Sequence, residues 1–288
     1  MIQCIILCNW MPRLAFAAAK EVDVKLIRLS VLSVTLLAGA VAVQARSEGQ
    51  GYLAPGTFDV LAILPPAPVK GDARYEADRR IFRETRALVG TPRWDMATGD
   101  VPTGQADLMR DFSCALGVTI TPANAPRTEA LVARARIDTG RGTNVAKDFY
   151  KRRRPFLIDR GAICQPAREV LDSYDYPSGH TTLGWTWAML LAELAPDRAT
   201  QLLARGRAYG ESRIVCGVHN ASAVEGGRLS ATVTLAALSS SSQFQADFAA
   251  ARAELAALRA TGPAPDAGMC AREASLVAEP IFDPAKRR

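Results

Sequence analysis

Apolar residues recur at helical spacing along most of this chain. After Asp72, which suits an N-cap, Tyr75, Ile81, Phe82, Leu88 and Val89 form one stripe, closed by Gly90 and Pro92. Leu108, Met109, Phe112, Ala115 and Leu116 form a second that stops at Gly117, and Leu131, Val132, Ala135 and Ile137 a third. Gly140 and Gly142 interrupt or bend that third pattern; it resumes over 145–151 and Pro155 closes it. A further helix carries His180, Leu183, Trp187, Leu190, Leu191 and Leu194, and the next starts at Pro196 and runs to Arg213. Ser222-Ala-Val-Glu225 reads as a capping box opening a helix through Leu229, Val233 and Ala236. Beyond the serines at 239–242, Phe244, Phe248, Leu255 and Leu258 predict a last amphipathic helix, closed by Gly262-Pro263. No stretch alternates with a period of two, so the expected fold is all-α: a single compact helical domain over 72–262, of roughly seven to nine helices. The Pro/Gly-rich segment 46–71, with Leu64-Pro-Pro-Ala-Pro68, predicts an arm laid over that domain, and the tail 263–288 is expected to be loosely ordered apart from Cys270.

The least polar stretch changes the picture of where the protein works. Lys25 and Arg28 precede an apolar run that ends in Val43-Gln44-Ala45, the make-up of a signal peptide cleaved near Ala45, so 1–45 reads as an N-terminal extension plus export signal and the expected location is periplasmic or secreted. A membrane anchor is the lesser reading, because no cations follow the run as a stop-transfer flank, and no membrane contact is expected after cleavage. Residues 46–288 keep 31 of the 35 Lys and Arg and 27 of the 29 Asp and Glu, a net charge of +4. The one dense cationic run is 151–154, so nucleic acid is not an expected partner. Four cysteines remain after the leader: Cys114, Cys164, Cys216 and Cys270. In an exported chain these predict two disulfides, with three connectivities open. There is no C-x-x-C or His-Cys cluster, and two histidines are few for a metal centre, so neither metal nor other cofactor is expected.

The candidate chemistry lies in three short clusters in fixed order. Lys147 is followed seven residues later by Arg154-Pro155, then comes Pro177-Ser-Gly-His180, then Ser212-Arg213 with His219 six residues on. His180 and His219 are the only histidines. Lys147 and Arg154 are two turns apart on one helical face if the helix persists to the proline, although alone they would fit a solvated basic face. Ser178 and Gly179 sit at a helix mouth, which attracts an anion, although an isolated Ser-Gly pair is more often an ordinary cap. Together they supply three cations, two imidazoles and a Ser-Gly turn, enough to hold a phosphate and exchange its ester oxygen.

These motifs resemble the bacterial class A non-specific acid phosphatases, within the type-2 phosphatidic acid phosphatase and vanadium haloperoxidase superfamily, whose pattern runs K-x6-RP, PSGH, SR-x5-H-x3-D. The likeness extends to the Leu64-Pro-Pro arm and to the helices at 177–193 and 243–255. The resemblance implies an acid phosphatase acting on small phosphate monoesters such as nucleotides, sugar phosphates or aryl phosphates, without a metal and with homo-oligomers possible. It implies that His219 is the nucleophile that forms a phosphohistidine, that His180 is the general acid and base, and that Lys147, Arg154, Ser178, Gly179 and Arg213 hold the phosphate. His180 would then need an anionic neighbour such as Asp175, or the phosphate itself, to stay protonated. A vanadate-dependent haloperoxidase and a phosphate-binding protein with impaired catalysis are the competing readings. Cys164 is expected to pair with Cys216, since both flank the active-site helices, which leaves Cys114 for Cys270. One position departs from the family pattern: Ala223 stands where an aspartate usually fixes the nucleophile's imidazole. Asn220, Glu225 or a main-chain carbonyl could take that N–H instead, and Ala223→Asp is expected to be tolerated.

Overall fold

Short side-chain caps and glycine stops divide the chain into nine α-helices among the described residues, 49–282 of a computed structural model, and no strand occurs among them. They are α1 (Ala73–Thr85), α2 (Pro92–Gly99), α3 (Gln105–Leu116), α4 (Pro126–Tyr150), α5 (Gly179–Leu194), α6 (Ala199–Val215), α7 (Ala221–Leu238), α8 (Ser242–Thr261) and α9 (Ala267–Ala278), with four single 3₁₀ turns between them. The all-α expectation holds. The leader-type run at 25–45 lies outside the described residues.

Local chemistry explains most boundaries. Thr91 caps α2 by accepting the Trp94 N–H, Pro92 opens its first turn, and Gly117 ends α3 at φ +84°. Ser241 caps α8 through Phe244, so the serine run is the break between α7 and α8. Three expectations need correction. Gly140 and Gly142 do not break α4, which runs 25 residues; Gly142 lets the arm approach, since a Cβ there would stand 2.7 Å from Val60 Cγ2. The helix then ends at Tyr150, with Lys151 at φ +47°, so Lys147 and Arg154 do not share a helical face. The described part of the tail is not loose: α9, capped by Asp266, occupies 267–278 of it.

α5 is the axis of the core. Leu183, Trp187, Leu190 and Leu191 are buried among Leu108, Met109 and Phe112 of α3, Leu131 and Val132 of α4, and Leu202 and Tyr209 of α6. Two glycines let α5 and α6 cross closely: a Cβ on Gly184 would lie 2.2 Å from the Tyr209 ring, and one on Gly206 would lie 2.3 Å from the Ala188 methyl. The arm packs Val60 and Leu64 on Ala146 of α4, and Ala67 on Tyr176 and Ala223. Disulfides join Cys164 to Cys216 and Cys114 to Cys270, the pairing expected; the second ties α9 to α3.

Candidate active site

The three clusters arrive at one buried place from three elements. Lys147 lies on the last turn of α4, buried, with its ammonium on the Tyr174 carbonyl. The left-handed turn at Lys151 redirects the chain, so Arg154 enters from a separate segment; its Nε donates to Ser173 O at 2.7 Å and its Nη1 to Val218 O at 2.8 Å. Arg213, on the last turn of α6, is 0% exposed. Its Nη2 donates to Gln165 Oε1, while its Nε and Nη1 have no partner in the protein. Buried guanidinium hydrogens without acceptors are costly, and a bound anion is the natural remedy.

Ser178 caps α5: its hydroxyl oxygen accepts from Thr181 N and Thr181 Oγ1, which leaves the hydroxyl proton to donate. The Ser178 amide, expected at the phosphate, donates instead to Ala223 O at 2.9 Å. The helix mouth therefore offers an anion the amides of Gly179 and His180, since those of Thr181 and Thr182 donate to Ser178.

The partners of the two histidines fix their tautomers. Arg154 Nη1 lies 3.0 Å from His219 Nε2, and since arginine only donates, that nitrogen holds a lone pair. The proton is therefore on Nδ1, which meets Asp175 Oδ1 at 3.1 Å. His180 Nε2 lies 2.9 Å from the Val101 carbonyl and must carry a proton, so Nδ1 is the nitrogen left to exchange one. Burial, followed for His219 by Arg154, Lys147 and Arg213 and for His180 by Arg213, holds both imidazoles well below the usual histidine range. Burial and Arg154 bring Lys147 down to about 7, and burial brings Arg154 and Arg213 down to about 10. Burial is the largest cause of every one of these shifts, and for Lys147, Arg213 and the two imidazoles neighbouring cations add to it.

The geometry revises the orienting candidates. Asn220 does not receive the His219 proton; its N–H and Nδ2 donate to Asp175 at 3.1 and 2.8 Å. Glu225 is exposed on α7. The capping box does not form either: Asn220 is the N-cap, and Ser222 turns its hydroxyl and N–H to Asp78 of α1. Asp175 sits beside His219 rather than beside His180. Sequence reading missed three other supports. Asp100 accepts from Ser212 and is paired by Arg205 Nη2 at 2.6 Å, next to the Val101 carbonyl that holds His180. Arg93 donates to Ser212 Oγ at 3.0 Å, and Gln165 receives Arg213. Arg93 and Arg205 are buried charged residues on helices and Asp100 is a buried C-cap, and nothing in the stripe pattern distinguishes them from solvated charges.

Beyond His180 and Gly179 opens a hollow of about 300 Å³ lined by Thr103, Arg136, Asn144 and Thr143. Among the described residues, no group of three His, Cys, Asp or Glu could hold a metal ion, and no helix is long and apolar enough to cross a membrane.

Residues 130–246 match the model of the PAP2 superfamily. The chain is 39% identical over 219 residues to an acid phosphatase of Zymomonas mobilis, covering 75% of this chain and 83% of that protein. It is 35% identical to the non-specific acid phosphatase of Salmonella typhimurium, over 67% of this chain and 78% of the other, and 34% identical to that of Providencia stuartii, over 70% and 83%.

Proposed function

Since this chain belongs to the PAP2 superfamily and is an acid phosphatase by that kinship, we propose that it hydrolyses small phosphate monoesters through a phosphohistidine at His219, without a metal. The observation that carries this reading is the state of His219: a buried imidazole whose Nε2 lone pair faces the Arg154 guanidinium, close to the unpartnered donors of Arg213.

The ester's phosphoryl group lies among Lys147, Arg154, Arg213, the Ser178 hydroxyl and the amides of Gly179 and His180, which neutralise the charge spread over its non-bridging oxygens. His219 Nε2 attacks phosphorus, the N–P bond forms, and the P–O bond to the leaving group breaks. The leaving oxygen takes a proton from His180 Nδ1 and departs through the hollow beyond His180 as an alcohol. His180 then removes a proton from water as the water oxygen attacks phosphorus, the N–P bond breaks, and inorganic phosphate leaves. Because burial, followed by Arg213, holds the His180 imidazole well below its usual range, its second proton enters with the anionic substrate, which favours turnover on the acid side of neutrality. The polar lining of the hollow suits hydroxylated or charged leaving groups. The two disulfides support export of the protein.

Rapid quench with a ³²P-labelled aryl phosphate tests the reading. Labelled, acid-labile protein should appear in the wild type, be absent from His219→Ala, and persist in EDTA, and vanadate should inhibit competitively as a mimic of the five-coordinate transition state. Turnover restored only by Mg²⁺ or Zn²⁺ after chelation would refute the metal-free mechanism, and turnover with no labelled protein would refute the phosphohistidine.

A further inference from the structure

We propose that the anion that orients the nucleophile has changed elements in this protein: Asp175, on the loop that leads into α5, is the positioning residue for His219, and Ala223 makes room for the exchange. The inference rests on His219 being the nucleophile for its kinetic consequences, but not for its geometry.

Asp175 is 0% exposed. Besides the His219 Nδ1–H, its carboxylate accepts both Asn220 donors, and Arg152 Nη1 lies 3.4 Å from its Oδ2. Burial pushes its carboxyl up, and Arg152 and the Asn220 bonds oppose that shift, so the groups that favour its charged form are dedicated partners. Those partners are themselves anchored. Arg152 donates to Asp78 Oδ2 at 2.8 Å and to Ser222 Oγ at 2.6 Å, and Asp78 Oδ1 accepts the Ser222 amide at 3.0 Å. A chain of buried polar contacts thus runs from α1, through Asp78, Arg152 and Asp175, to the imidazole.

Position 223 is shaped for a different purpose in this protein. Ala223 is 0% exposed and packs with Ala67 and Tyr176. Tyr176 also lies against Gly226, where a Cβ would come within 2.7 Å of its ring, so the first turns of α7 are pared down to receive the tyrosine next to Asp175. A carboxylate at 223 would be forced into an apolar contact that the arm, the tyrosine and α7 share. The expectation that Ala223→Asp is tolerated is therefore revised to a loss of stability. The relocation has a further consequence: the carboxylate that sets the imidazole and the helix mouth that holds the phosphate now lie within five consecutive residues, 175–179, so nucleophile and cradle are placed by one segment.

The experiment combines tautomer and kinetics. ¹⁵N NMR of the wild type should show His219 protonated on Nδ1, and in Asp175→Asn the tautomer balance should shift. In the same variant kcat should fall by about 10² to 10⁴, while the inhibition constant for sulfate, a tetrahedral anion that forms no bond to His219, changes less than about fivefold, because the cations that hold it are untouched. Asp175→Glu should recover part of kcat. An Nε2–H tautomer in the wild type overturns the proposal without any variant, and so does a folded Asp175→Asn whose kcat stays within about twofold. If wild-type protein shows the Nδ1–H tautomer but no labelled intermediate, the phosphohistidine reading fails and the positioning contact stands.

Discussion

Lys147 shows how a single residue can connect the site to acidity. Its ammonium is complete below its pKa of about 7 and lost above it, and a bound dianion favours the charged form, so anion binding takes up a proton near neutrality. Sulfate keeps its charge throughout this range and isolates the protein's contribution. Its competitive inhibition constant should rise by up to about tenfold per pH unit above 7, whereas Lys147→Arg, whose charge persists, should flatten that rise. Inhibition constants measured from pH 6 to 9 on both proteins check this, and equal slopes would show that another group governs the titration. The motif residues themselves were legible because histidine, lysine and arginine at these spacings have few other uses together. Their hydrogen-bond partners were not, since Val101, Gln165 and Asp175 carry no local pattern.

At the scale of elements, the close crossing of α5 and α6 sets the distance between His180, on the first turn of one helix, and Arg213, on the last turn of the other. Gly184→Ala places a methyl on the fully buried Tyr209, which has no room to yield. It should cost about 1–3 kcal/mol, visible as a lower Tm, and kcat should fall in the same variant because the helix bearing His180 is displaced. A variant with wild-type Tm would show that the crossing relaxes freely. Helix boundaries followed from the chain at Gly117 and at the serine run that Ser241 closes, but not at Thr91, where Pro92 reads as a stop and in fact opens α2. They failed where two interpretations of one residue compete: Gly142 looks like a breaker but serves a close approach, and Ser222-x-x-Glu225 has the spacing of a capping box although Asp78 claims the serine.

For the whole molecule, the two disulfides are expected to separate stability from function. Cys114–Cys270 closes a separation of 156 residues and fastens α9, which supplies no residue to the phosphate cradle and reaches its supports through Glu273 on Arg205, so the double serine variant should lose about 2–5 kcal/mol with kcat changed less than about twofold. Cys164–Cys216 lies beside Gln165, which receives the Arg213 guanidinium, so its double serine variant should lose activity as well. Urea unfolding and kcat on both variants check the division. By itself, the sequence determined the helical class, the order and residue types of the three motif clusters, the cysteine count and the missing aspartate, because periodicity, caps and motif spacing are local properties that a chain displays in order. Only the tertiary structure decided which carboxylate meets His219. Asp175 lies 44 residues from it in sequence, and their contact exists because α1, the loop before α5 and the start of α7 pack into one buried polar chain. Such pairings depend on where whole elements come to rest, and spacing along the chain records that only when both partners share an element.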